Sequence, residues 1–448
     1  MTRKMKDSGI EWIGEIPEDW GISKIKYVSD LNGRIGFRGY KQSDLVEEEH
    51  GAITLGPPNM DNGKLNLLNC KYLSWEKYYE SPEIQLRVGD ILLVKTASVG
   101  KVAYVDRLVK EMTINPQLLI IKSKNINNKF LFYVIFSEFF QSQVEMSVTG
   151  GTVPTLSQEK ISNFEITNPP MTSQIKIAKY LDKMCFEVER ISNKIKLEIE
   201  NLENYKKSVI TEAVTRGLDK NVEMKDSGIE WIGEIPKHWD LVKIKYTQKK
   251  EESNSFIDGD WIESNYIKED GIRYITTGNI GDGKFIVQGN GFISREDFEL
   301  LRCKYAYPGD LIFSRLNAPY GRSCLLPDTY SEYVIAVDNV ILRPDEYYNR
   351  KFINYLTQCI GYQQSVKDSA SGTTMQRISR TKLGNIPLPF PNTEEQNDIV
   401  DYLDKKTKLI DDSIAIKQKQ LETLEEYKKS LIYEYVTGKK EVKDGEET

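Results

Sequence analysis

The chain has 448 residues, of which 39% are hydrophobic, and its formal net charge is −6 at pH 7. This length can form more than one hydrophobic core, and no apolar run approaches the roughly 18 residues that a membrane-spanning helix needs. The acidic balance argues mildly against a nucleic-acid binder but does not exclude a local basic groove. The first residues lack the apolar segment of a signal peptide, so we expect a cytoplasmic protein.

The chain contains a long internal repeat. Residues 5–17, Met-Lys-Asp-Ser-Gly-Ile-Glu-Trp-Ile-Gly-Glu-Ile-Pro, recur letter for letter at 224–236. Residues 24–27 match 243–246, and residues 205–208 match 427–430. The spacing stays near 220 residues throughout, well beyond the periods of solenoid repeats, and therefore predicts a duplicated unit.

Each unit begins with a body of mixed strands and helices. In the first body, short apolar runs at 52–55, 91–94 and 118–121 predict buried strands, and residues 129–144 have the periodicity of a helix. The equivalent predictions in the second body are strands at 274–277, 311–314 and 334–342 and a helix at 349–366. We therefore expect two similar α+β bodies of about 160 residues each.

A long helix follows each body, and the two helices carry the clearest periodicity in the chain. Apolar residues recur with alternating four-three spacing, as in a coiled-coil seam. The predicted seam residues are Leu181, Val188, Ile195, Ile199, Leu202, Val209, Leu403, Ile410, Ile414, Leu421, Leu424 and Leu431. We expect the helices, each roughly 65 Å long, to pair antiparallel within the chain. Ordinary amphipathic helices on a globular core are the alternative.

Lysines also occupy positions of this seam, at Lys206, Lys417 and Lys428. A seam that contains charged residues is weaker than a fully apolar one. We therefore expect the coiled coil to gain stability from partner helices that pack on its outer faces.

A signature before each long helix resembles a known family. Thr-Gly-Gly-Thr-Val-Pro-Thr-Leu-Ser-Gln at 149–158 and Gln174 in the first copy are answered by Ser-Gly-Thr-Thr-Met-Gln-Arg-Ile-Ser at 371–379 and Gln396 in the second. With the duplication, this resembles the specificity (S, HsdS) subunit of type I restriction-modification systems over essentially the full chain. The resemblance implies two target-recognition domains, each reading one half of a split DNA sequence, separated by an antiparallel coiled coil that acts as a ruler.

The resemblance also implies the domain limits and the partners. The limits are target-recognition domains at 1–170 and 217–390, long helices at 171–216 and 391–438, and a polar tail at 439–448. Two modification (methyltransferase) subunits would dock on the coiled coil and carry S-adenosylmethionine. Restriction subunits, with ATP and Mg, would join through them. This chain itself would bind no cofactor.

Alignment of the two bodies selects candidate DNA contacts. In both, a Gly-Asp turn leads into a buried strand that ends in a basic residue, which suits phosphate and base-edge contacts. The candidates at these strand ends are Lys95, Thr96, Ser98, Lys101, Arg315, Asn317, Tyr320 and Arg322. Weaker candidates at turns and in the loops before the long helices are Asn59, Lys64, Thr152, Thr155, Asn279, Lys284, Thr374, Gln376 and Arg377. Solvated strand ends, hairpin tips and turn hydrogen bonds are the alternatives for these residues.

Signs of catalysis are weak. Residues 168–171, Asn-Pro-Pro-Met, resemble an amino-methyltransferase motif but lack its aromatic residue, and no glycine-rich cofactor loop follows an upstream strand. The five cysteines have no Cys-x-x-Cys spacing, and we expect buried free thiols rather than a metal site. We therefore expect a non-catalytic DNA-recognition subunit. A coiled-coil scaffold without sequence-specific DNA binding and a self-contained methyltransferase or nuclease are the alternatives.

Overall fold

The computed structural model describes residues 3–11, 13–34, 36, 39–149, 151–251, 254–316, 318–370, 376–443 and 445. Contacts divide the chain into two compact units. Unit 1 comprises Met1–Ile195 and Lys419–Thr448, and unit 2 comprises Lys196–Gln418. Each unit therefore contains one body, the first half of the long helix that follows it and the second half of the other long helix.

Unit 1 is built mainly from short strands and short helices. Its strands are β1 (Met5–Asp7), β2 (Glu15–Pro17), β3 (Gly21–Lys24), β4 (Ser29–Gly33), β5 (Leu45–Val46), β6 (Gly51–Leu55), β7 (Met60–Asp61), β8 (Lys64–Leu65), β9 (Lys71–Ser74), β10 (Ile91–Val94), β11 (Val102–Tyr104), β12 (Met112–Ile114), β13 (Leu118–Ser123) and β14 (Glu165–Asn168). Its short helices are α1 (Ile25–Val28), α2 (Trp75–Tyr79), α3 (Asn128–Phe136), α4 (Glu138–Ser147) and α5 (Gln158–Ser162). The first long helix, α6 (Met171–Arg216), follows them.

Unit 2 has a similar order with fewer elements among the described residues. Its strands are β15 (Met224–Asp226), β16 (Glu234–Pro236), β17 (Asp240–Lys243), β18 (Phe256–Asp258), β19 (Ile272–Ile275), β20 (Phe292–Ile293), β21 (Tyr305–Ala306), β22 (Leu311–Ser314), β23 (Ser323–Leu325), β24 (Tyr333–Ile335), β25 (Asn339–Leu342) and β26 (Pro387–Phe390). Its helices are α7 (Arg295–Leu300), α8 (Arg350–Leu356), α9 (Ile360–Ser369) and α10 (Arg380–Gly384), and the second long helix is α11 (Thr393–Val436).

The main sheet of each unit is antiparallel and has the same order. In unit 1 the order is β11-β10-β13-β4, and in unit 2 it is β23-β22-β25-β18. A second four-stranded sheet, β12-β6-β9-β5 in unit 1 and β20-β19-β24-β21 in unit 2, contains one parallel pair. The recurrence of the main-sheet topology in both units confirms the predicted duplication of an α+β fold.

Successive side chains of a strand point in opposite directions. In the central strands of the main sheets the side chains on both faces are buried. In β10, Ile91 and Leu93 lie in a core with the helices, while Leu92 and Val94 lie in a second core with residues of the other sheet. The strand β22 divides its side chains between two cores in the same way. This double burial explains why these strands are continuously apolar.

Three predicted elements are each divided in the structure. The helix predicted at 129–144 is two helices, α3 and α4, separated at Ser137, whose backbone is extended and whose Oγ donates to the carbonyl of Val134 at 2.6 Å. The helix predicted at 349–366 is α8 and α9, and the strand predicted at 334–342 is β24 and β25. In each case both pieces bury apolar side chains, so the apolar pattern continues across a break that involves only a few residues.

The long helices pair antiparallel. In unit 1 the ring centroids of Tyr180 and Tyr435 are 4.6 Å apart, and Lys428 Nζ lies 3.9 Å from a carboxylate oxygen of Glu189. In unit 2 Lys206 pairs with Asp411 at 2.7 Å and Lys417 with Glu198 at 2.5 Å. As residue numbers rise along α6, those of the partners fall along α11. The seam lysines are therefore each matched by an acid of the other helix.

The apolar seam positions lie between the paired helices. Each of the twelve predicted residues is buried or half-buried, whereas their neighbours along the helices include many exposed charges. Among the residues that the model describes, no helix has the length and apolar character to cross a membrane.

Candidate nucleic-acid interface

The loop after β10 and the loop before α5 form one surface in unit 1. The N–H of Lys95 donates to the carbonyl of Gln117 at 2.8 Å, and the carbonyl of Lys95 accepts from the N–H of Leu156 at 2.8 Å. One residue further, Thr96 forms an isolated bridge with Thr155. Residues 95–101 and residues 149 and 151–157, which the sequence indicated as separate candidates, are therefore neighbours.

Unit 2 repeats these backbone contacts with different residues. The N–H of Arg315 donates to the carbonyl of Asp338 at 2.9 Å, and its carbonyl accepts from the N–H of Ile378 at 3.1 Å. Leu316 forms the bridge with Arg377 that Thr96 forms with Thr155 in unit 1. The backbone frame of this surface is thus the same in both units.

A third element, the end of strand β4 or β18, completes the surface. The side chain of Gln158 donates to the carbonyl of Leu31 at 2.9 Å, and that of Arg380 donates to the carbonyl of Phe256 at 3.1 Å. Strand register makes Leu31 and Phe256 equivalent positions. The same register gives the equivalent pairs Gly33 and Asp258, Lys95 and Arg315, and Gln117 and Asp338; the loops add Thr155 and Arg377, and Gln158 and Arg380.

The unit 1 surface carries one half-buried cation and several small polar groups. Burial lowers the pKa of Lys95 below its ordinary value, and Lys95 has no ion pair within the described part of the chain. Ser98, Lys101 and Thr152 are exposed, and Thr96 is half-buried. This arrangement can donate hydrogen bonds to a phosphate or to base edges.

The unit 2 surface is more highly charged. Asp258 lies 3.4 Å from both Arg315 and Arg380, and Asp338 lies 3.3 Å from Arg377. Tyr320 donates its hydroxyl to Gln376 at 3.3 Å. The candidates Asn317 and Thr374 lie outside the described residues.

Three further candidates are buried, and their polar atoms bond to the backbone. Asn59 accepts from the N–H of Gly56 at 2.9 Å and donates to the carbonyl of Asn66, and Asn279 forms the equivalent turn in unit 2. The guanidinium of Arg322 donates to carbonyls of the surrounding loops, at 2.6 to 3.1 Å for three of them. This geometry gives Asn59, Asn279 and Arg322 a structural role.

Two lysines of the turns differ in their surroundings. Lys64 is paired with Glu189 of α6, within unit 1. Lys284 is exposed on the equivalent turn of unit 2.

Sequence reasoning missed Gly33, Gln117, Gln158, Asp258, Asp338 and Arg380 as members of the surface. The positions of Gln158 and Arg380 directly after the shared serines Ser157 and Ser379 were an available signal, but Asp258 could be placed only by strand register.

The shared signature before each long helix stabilises the frame. Gln174 is buried, accepts from the N–H of Asn127 at 2.7 Å and donates to the carbonyl of Pro169 at 2.8 Å. Gln396 makes the same contacts with Asn349 and Pro391. Asn168 of the methyltransferase-like motif accepts a hydrogen bond from Gln174 at 3.2 Å. These residues are therefore accounted for by structure.

The cysteines lie mainly in the cores. Burial raises the pKa of the Cys185 thiol to about 11 and those of Cys324 and Cys359 to about 12. Thiols with such pKa values are poor nucleophiles and poor metal ligands at neutral pH. Within the described ranges no group of three or more His, Cys, Asp or Glu side chains is placed to hold a metal ion.

Comparison with known proteins agrees with this architecture. The family model for the type I restriction modification DNA specificity domain matches twice, at residues 17–201 and 238–426. The chain is 25% identical over 446 residues to the type I restriction enzyme MjaVIII specificity subunit of Methanocaldococcus jannaschii, covering 96% of this chain and 95% of that protein. It is also 25% identical over 443 residues to the putative MjaX specificity subunit of the same organism, with 96% of each covered.

A solved structure has the same fold. It comes from a study of complex assembly and conformational transition of the type I R-M system, and it matches with a TM-score of 0.68 at 17% identity, covering 94% of this chain and 98% of that chain. The chain belongs to the type I restriction modification DNA specificity family and carries two copies of its domain.

Proposed function

We propose that each unit of this specificity subunit reads one half of a split DNA sequence. The observation that carries the proposal is the surface at the strand ends, where an identical set of backbone hydrogen bonds presents different side chains in the two units. Base sequence is read by side chains at base edges. Two equal frames with unequal side chains suit two different half-sites.

The proposed contacts combine cations with small polar groups. Phosphate contacts from Lys and Arg supply affinity and position the protein, and contacts with base edges supply specificity. The side chains that we assign to these roles are Lys95, Thr96, Ser98, Lys101 and Thr152 in unit 1, and Tyr320, Gln376 and Arg377 in unit 2, with Lys284 as an additional phosphate contact. Arg315 lies behind these side chains, and its guanidinium donates to the carbonyl of Val337. Asn59, Asn279 and Arg322 are left out because backbone groups already engage their polar atoms.

The chain has no catalytic role of its own in this proposal. Two modification subunits dock on the long helices and supply S-adenosylmethionine chemistry, and restriction subunits supply ATP-dependent and Mg-dependent steps. Support comes from exposed aromatic side chains on these helices. Tyr205 and Tyr427 belong to the repeated Tyr-Lys-Lys-Ser segment, and their exposed fractions are 48% and 46%. An identical exposed residue in each repeat suits one kind of partner bound twice.

Replacement of residues 28–147 by the same segment of a related protein tests the division between the units. The methylated motif, read by sequencing the methylated adenines of a host that carries this protein and its partner, should change in one half only. Loss of both halves would show that the units are not independent readers.

A gel-shift experiment with a random-sequence duplex pool, with and without the methyltransferase, separates this function from that of a scaffold. A sequence-specific subunit enriches a two-part motif from the pool. A protein that only tethers its partners retains duplexes without enrichment, and that result would contradict the proposal. Addition of S-adenosylmethionine with a labelled methyl group to the isolated chain and DNA tests the alternative of intrinsic methyltransferase activity. Such activity would transfer the label to the DNA.

Mass measurement of the reconstituted complex tests the docking. We expect two modification subunits per chain. The double variant Tyr205→Ala, Tyr427→Ala should bind them at least 10-fold more weakly, because each substitution removes an exposed aromatic anchor. Tyr347→Ala is the control, since Tyr347 is also an exposed tyrosine but lies outside the long helices. A single bound subunit at saturation would contradict the symmetry of the proposal.

A further inference from the structure

We propose that unit 2 reads guanine through Arg377 and Arg380, and that Asp258, Asp338 and Arg315 are the residues that position these two guanidinium groups. At the equivalent positions, all of them described, unit 1 has no such charge pairs, and it reads its half-site by Lys95, Lys101 and neutral side chains. This inference deepens the proposed function and rests on it. It assigns a base chemistry to one unit and adds Asp258, Asp338 and Arg380 to the DNA-reading surface.

Exposure separates the readers from the residues behind them. The side chain of Arg377 is 61% exposed and that of Arg380 is 40% exposed, whereas that of Arg315 is 12% exposed. Arg315 is also held from within the protein, because its guanidinium donates to the carbonyl of Val337. Arg315 therefore supports the surface, and Arg377 and Arg380 reach the solvent where a duplex can meet them.

Each exposed arginine is oriented on one side by an aspartate. Arg377 places Nη1 3.3 Å from Asp338, which leaves the Nε and Nη2 side of its guanidinium without a partner in the described part of the chain. Arg380 places Nε 3.4 Å from Asp258 and donates Nη1 to the carbonyl of Phe256, so Nη2 is its one nitrogen without a partner in the described part of the chain. A planar guanidinium held on one edge presents its remaining donors in a defined direction.

Asp258 connects the two layers of the surface. It lies 3.4 Å from Arg315 and 3.4 Å from Arg380, so one carboxylate lies between two cations. Within the residues that the model describes, the Oδ1 of Asp258 and the Nε of Arg315 are both buried and form no hydrogen bond. Groups of this kind are normally satisfied in a folded protein. Within the described residues these two atoms are therefore open to further hydrogen bonds.

The equivalent positions of unit 1 contain one charge. Gly33 stands where Asp258 stands, Gln117 replaces Asp338, and Thr155 and Gln158 replace Arg377 and Arg380. A Cβ at Gly33 would lie in contact, at 3.4 Å, with the Nζ of Lys95 and with Leu119. The frame is shared, and the charge pairs are confined to unit 2.

The chemistry of the oriented arginines selects guanine. An Arg fork donates two hydrogen bonds to the O6 and N7 acceptors of guanine in the major groove, whereas adenine presents a donor at the position of O6. A carboxylate beside the DNA also repels phosphates. Asp258 and Asp338 therefore weaken binding to arbitrary duplexes while they sharpen the preference for guanine, and these two effects have opposite signs in an experiment.

Selection from a random-sequence duplex pool by the full-length chain with its modification subunit, followed by sequencing of the retained duplexes, tests the inference. The wild-type chain should enrich a two-part motif with guanine in one half. Both Arg377→Lys and Arg380→Lys keep the charge, but Arg377→Lys removes the free Nε–Nη2 fork and Arg380→Lys removes the oriented Nη2 donor, so in each the guanine preference in that half should fall about 10-fold. The other half should stay as it is.

Asp258→Asn and Asp338→Asn distinguish positioning from a merely structural role. Each should lower the guanine preference and at the same time increase affinity for a duplex without the motif, with a salt dependence steeper by about 0.9 in the log-log slope for each arginine freed to contact phosphate. Arg295→Lys and Glu332→Gln are matched controls, because this exposed ion pair lies at the other end of β24. Both should leave the motif and the salt slope unchanged.

The possible outcomes are distinguishable. An enriched motif without guanine in either half, or a motif unchanged in both lysine variants, overturns the assignment to arginine while leaving the proposed function intact. A wild-type chain that enriches no motif overturns the proposed function as well. Thermal unfolding of each variant identifies loss of fold, and the lysine variants, which conserve size and charge, keep the inference testable if an asparagine variant does not fold.

Discussion

The turn before the central strand contains a Gly-Asp pair in both units, but its aspartate has different neighbours in each. Both carboxylates accept a backbone N–H three residues earlier, from Arg87 at 2.8 Å and from Tyr307 at 3.0 Å. In unit 2 Asp310 is also paired with Arg343 at 2.9 Å, and both side chains are largely buried. In unit 1 Asp90 has no such ion pair within the described residues, and its burial raises the pKa of its carboxyl.

Asparagine substitutions should therefore have opposite effects in the two units. Asp310→Asn should destabilise unit 2 by about 3 kcal/mol, because it leaves Arg343 buried without its counter-ion. Asp90→Asn should stabilise unit 1 at pH 7, because the amide can accept the N–H of Arg87 without the cost of burying a charge. Urea unfolding of both variants gives the free energies of unfolding.

The effect of Asp90 should depend on pH with a defined sign. The carboxyl of Asp90 has a higher pKa in the folded chain than its ordinary value of 3.8. The unfolded chain therefore releases this proton first, and stability from Asp90 is lost as pH rises through the folded-state pKa. The advantage of Asp90→Asn over the wild type should be absent at low pH and present at pH 7. An equal difference at pH 3.5 and pH 7 would contradict this explanation.

The glycines that end the two long helices have left-handed backbone conformations against a tryptophan. Gly217 has φ +76° and Gly438 has φ +74°. A Cβ on Gly438 would lie 2.5 Å from Pro17 and 3.1 Å from Trp20, while one on Gly217 would lie 3.2 Å or more from its neighbours. Gly9, at φ +75°, has open space around it.

Alanine substitutions at these three glycines distinguish the cost of left-handed backbone strain from the cost of steric overlap. Gly9→Ala should cost about 1 kcal/mol, the penalty of a left-handed alanine alone. Gly217→Ala should cost slightly more, and Gly438→Ala should cost more than about 2 kcal/mol, because Pro17 and Trp20 must move. Thermal unfolding ranks the three variants by their loss of stability. Equal losses would show that the neighbouring residues move aside at no cost in free energy.

At the scale of elements, one buried glutamine joins each long helix to its body. Gln174 near the start of α6 satisfies the N–H of Asn127, which caps α3, and the carbonyl of Pro169. Gln396 does the same at the start of α11 for α8. The shared glutamine therefore sets the position of a long helix against the helix pair that packs beside it.

Removal of this connection should destabilise either unit. Gln174→Ala and Gln396→Ala each leave a buried N–H and a buried carbonyl unsatisfied, so each should cost about 2–3 kcal/mol in the free energy of unfolding. Glu187→Ala, on the exposed face of α6, is the control and should change stability by less than about 0.5 kcal/mol. Similar losses for the control and the glutamine variants would show that the helix surface, not the buried amide, determines the effect.

At the scale of the whole molecule, both long helices are continuous across the division between the units. The helix α6 has 46 residues and α11 has 44. Their seam repeats every seven residues, so a whole heptad can be inserted into each without changing which face is apolar. A heptad lengthens a helix by about 10 Å.

Insertion of one heptad after Ile199 and one after Leu421 tests whether the coiled coil sets the gap in the DNA motif. We expect the methylated motif to keep both half-sites and to change its gap by roughly three base pairs, since base pairs rise about 3.4 Å along the duplex. A variant with the insertion after Ile199 alone should lose stability, because one seam is displaced against the other. An active double variant with an unchanged gap would show that another part of the complex sets the spacing.

The duplication, the fold class and the antiparallel pairing of the long helices were all predicted from the sequence alone, and the structure confirms them. These features follow from three patterns in the sequence, namely an identical segment, apolar runs of strand length and a seven-residue repeat. The same patterns failed at the breaks in 129–144, 334–342 and 349–366, because an apolar periodicity records burial and is insensitive to a turn of a few residues. Buried positions are occupied mainly by apolar residues, so they can be recognised in the sequence without knowing which residues they pack against.

Which polar residues share a surface could not be predicted from the sequence and is seen in the folded structure alone. Asn59, Asn279 and Arg322 resembled surface contacts in the sequence but are buried, with their polar atoms bonded to the backbone. Asp258 and Arg380 are 122 residues apart in the chain and 3.4 Å apart in space. The physical reason is that the residue type of a polar side chain does not reveal whether it contacts solvent, a carbonyl or a distant carboxylate. Strand register and loop packing determine which of these it contacts.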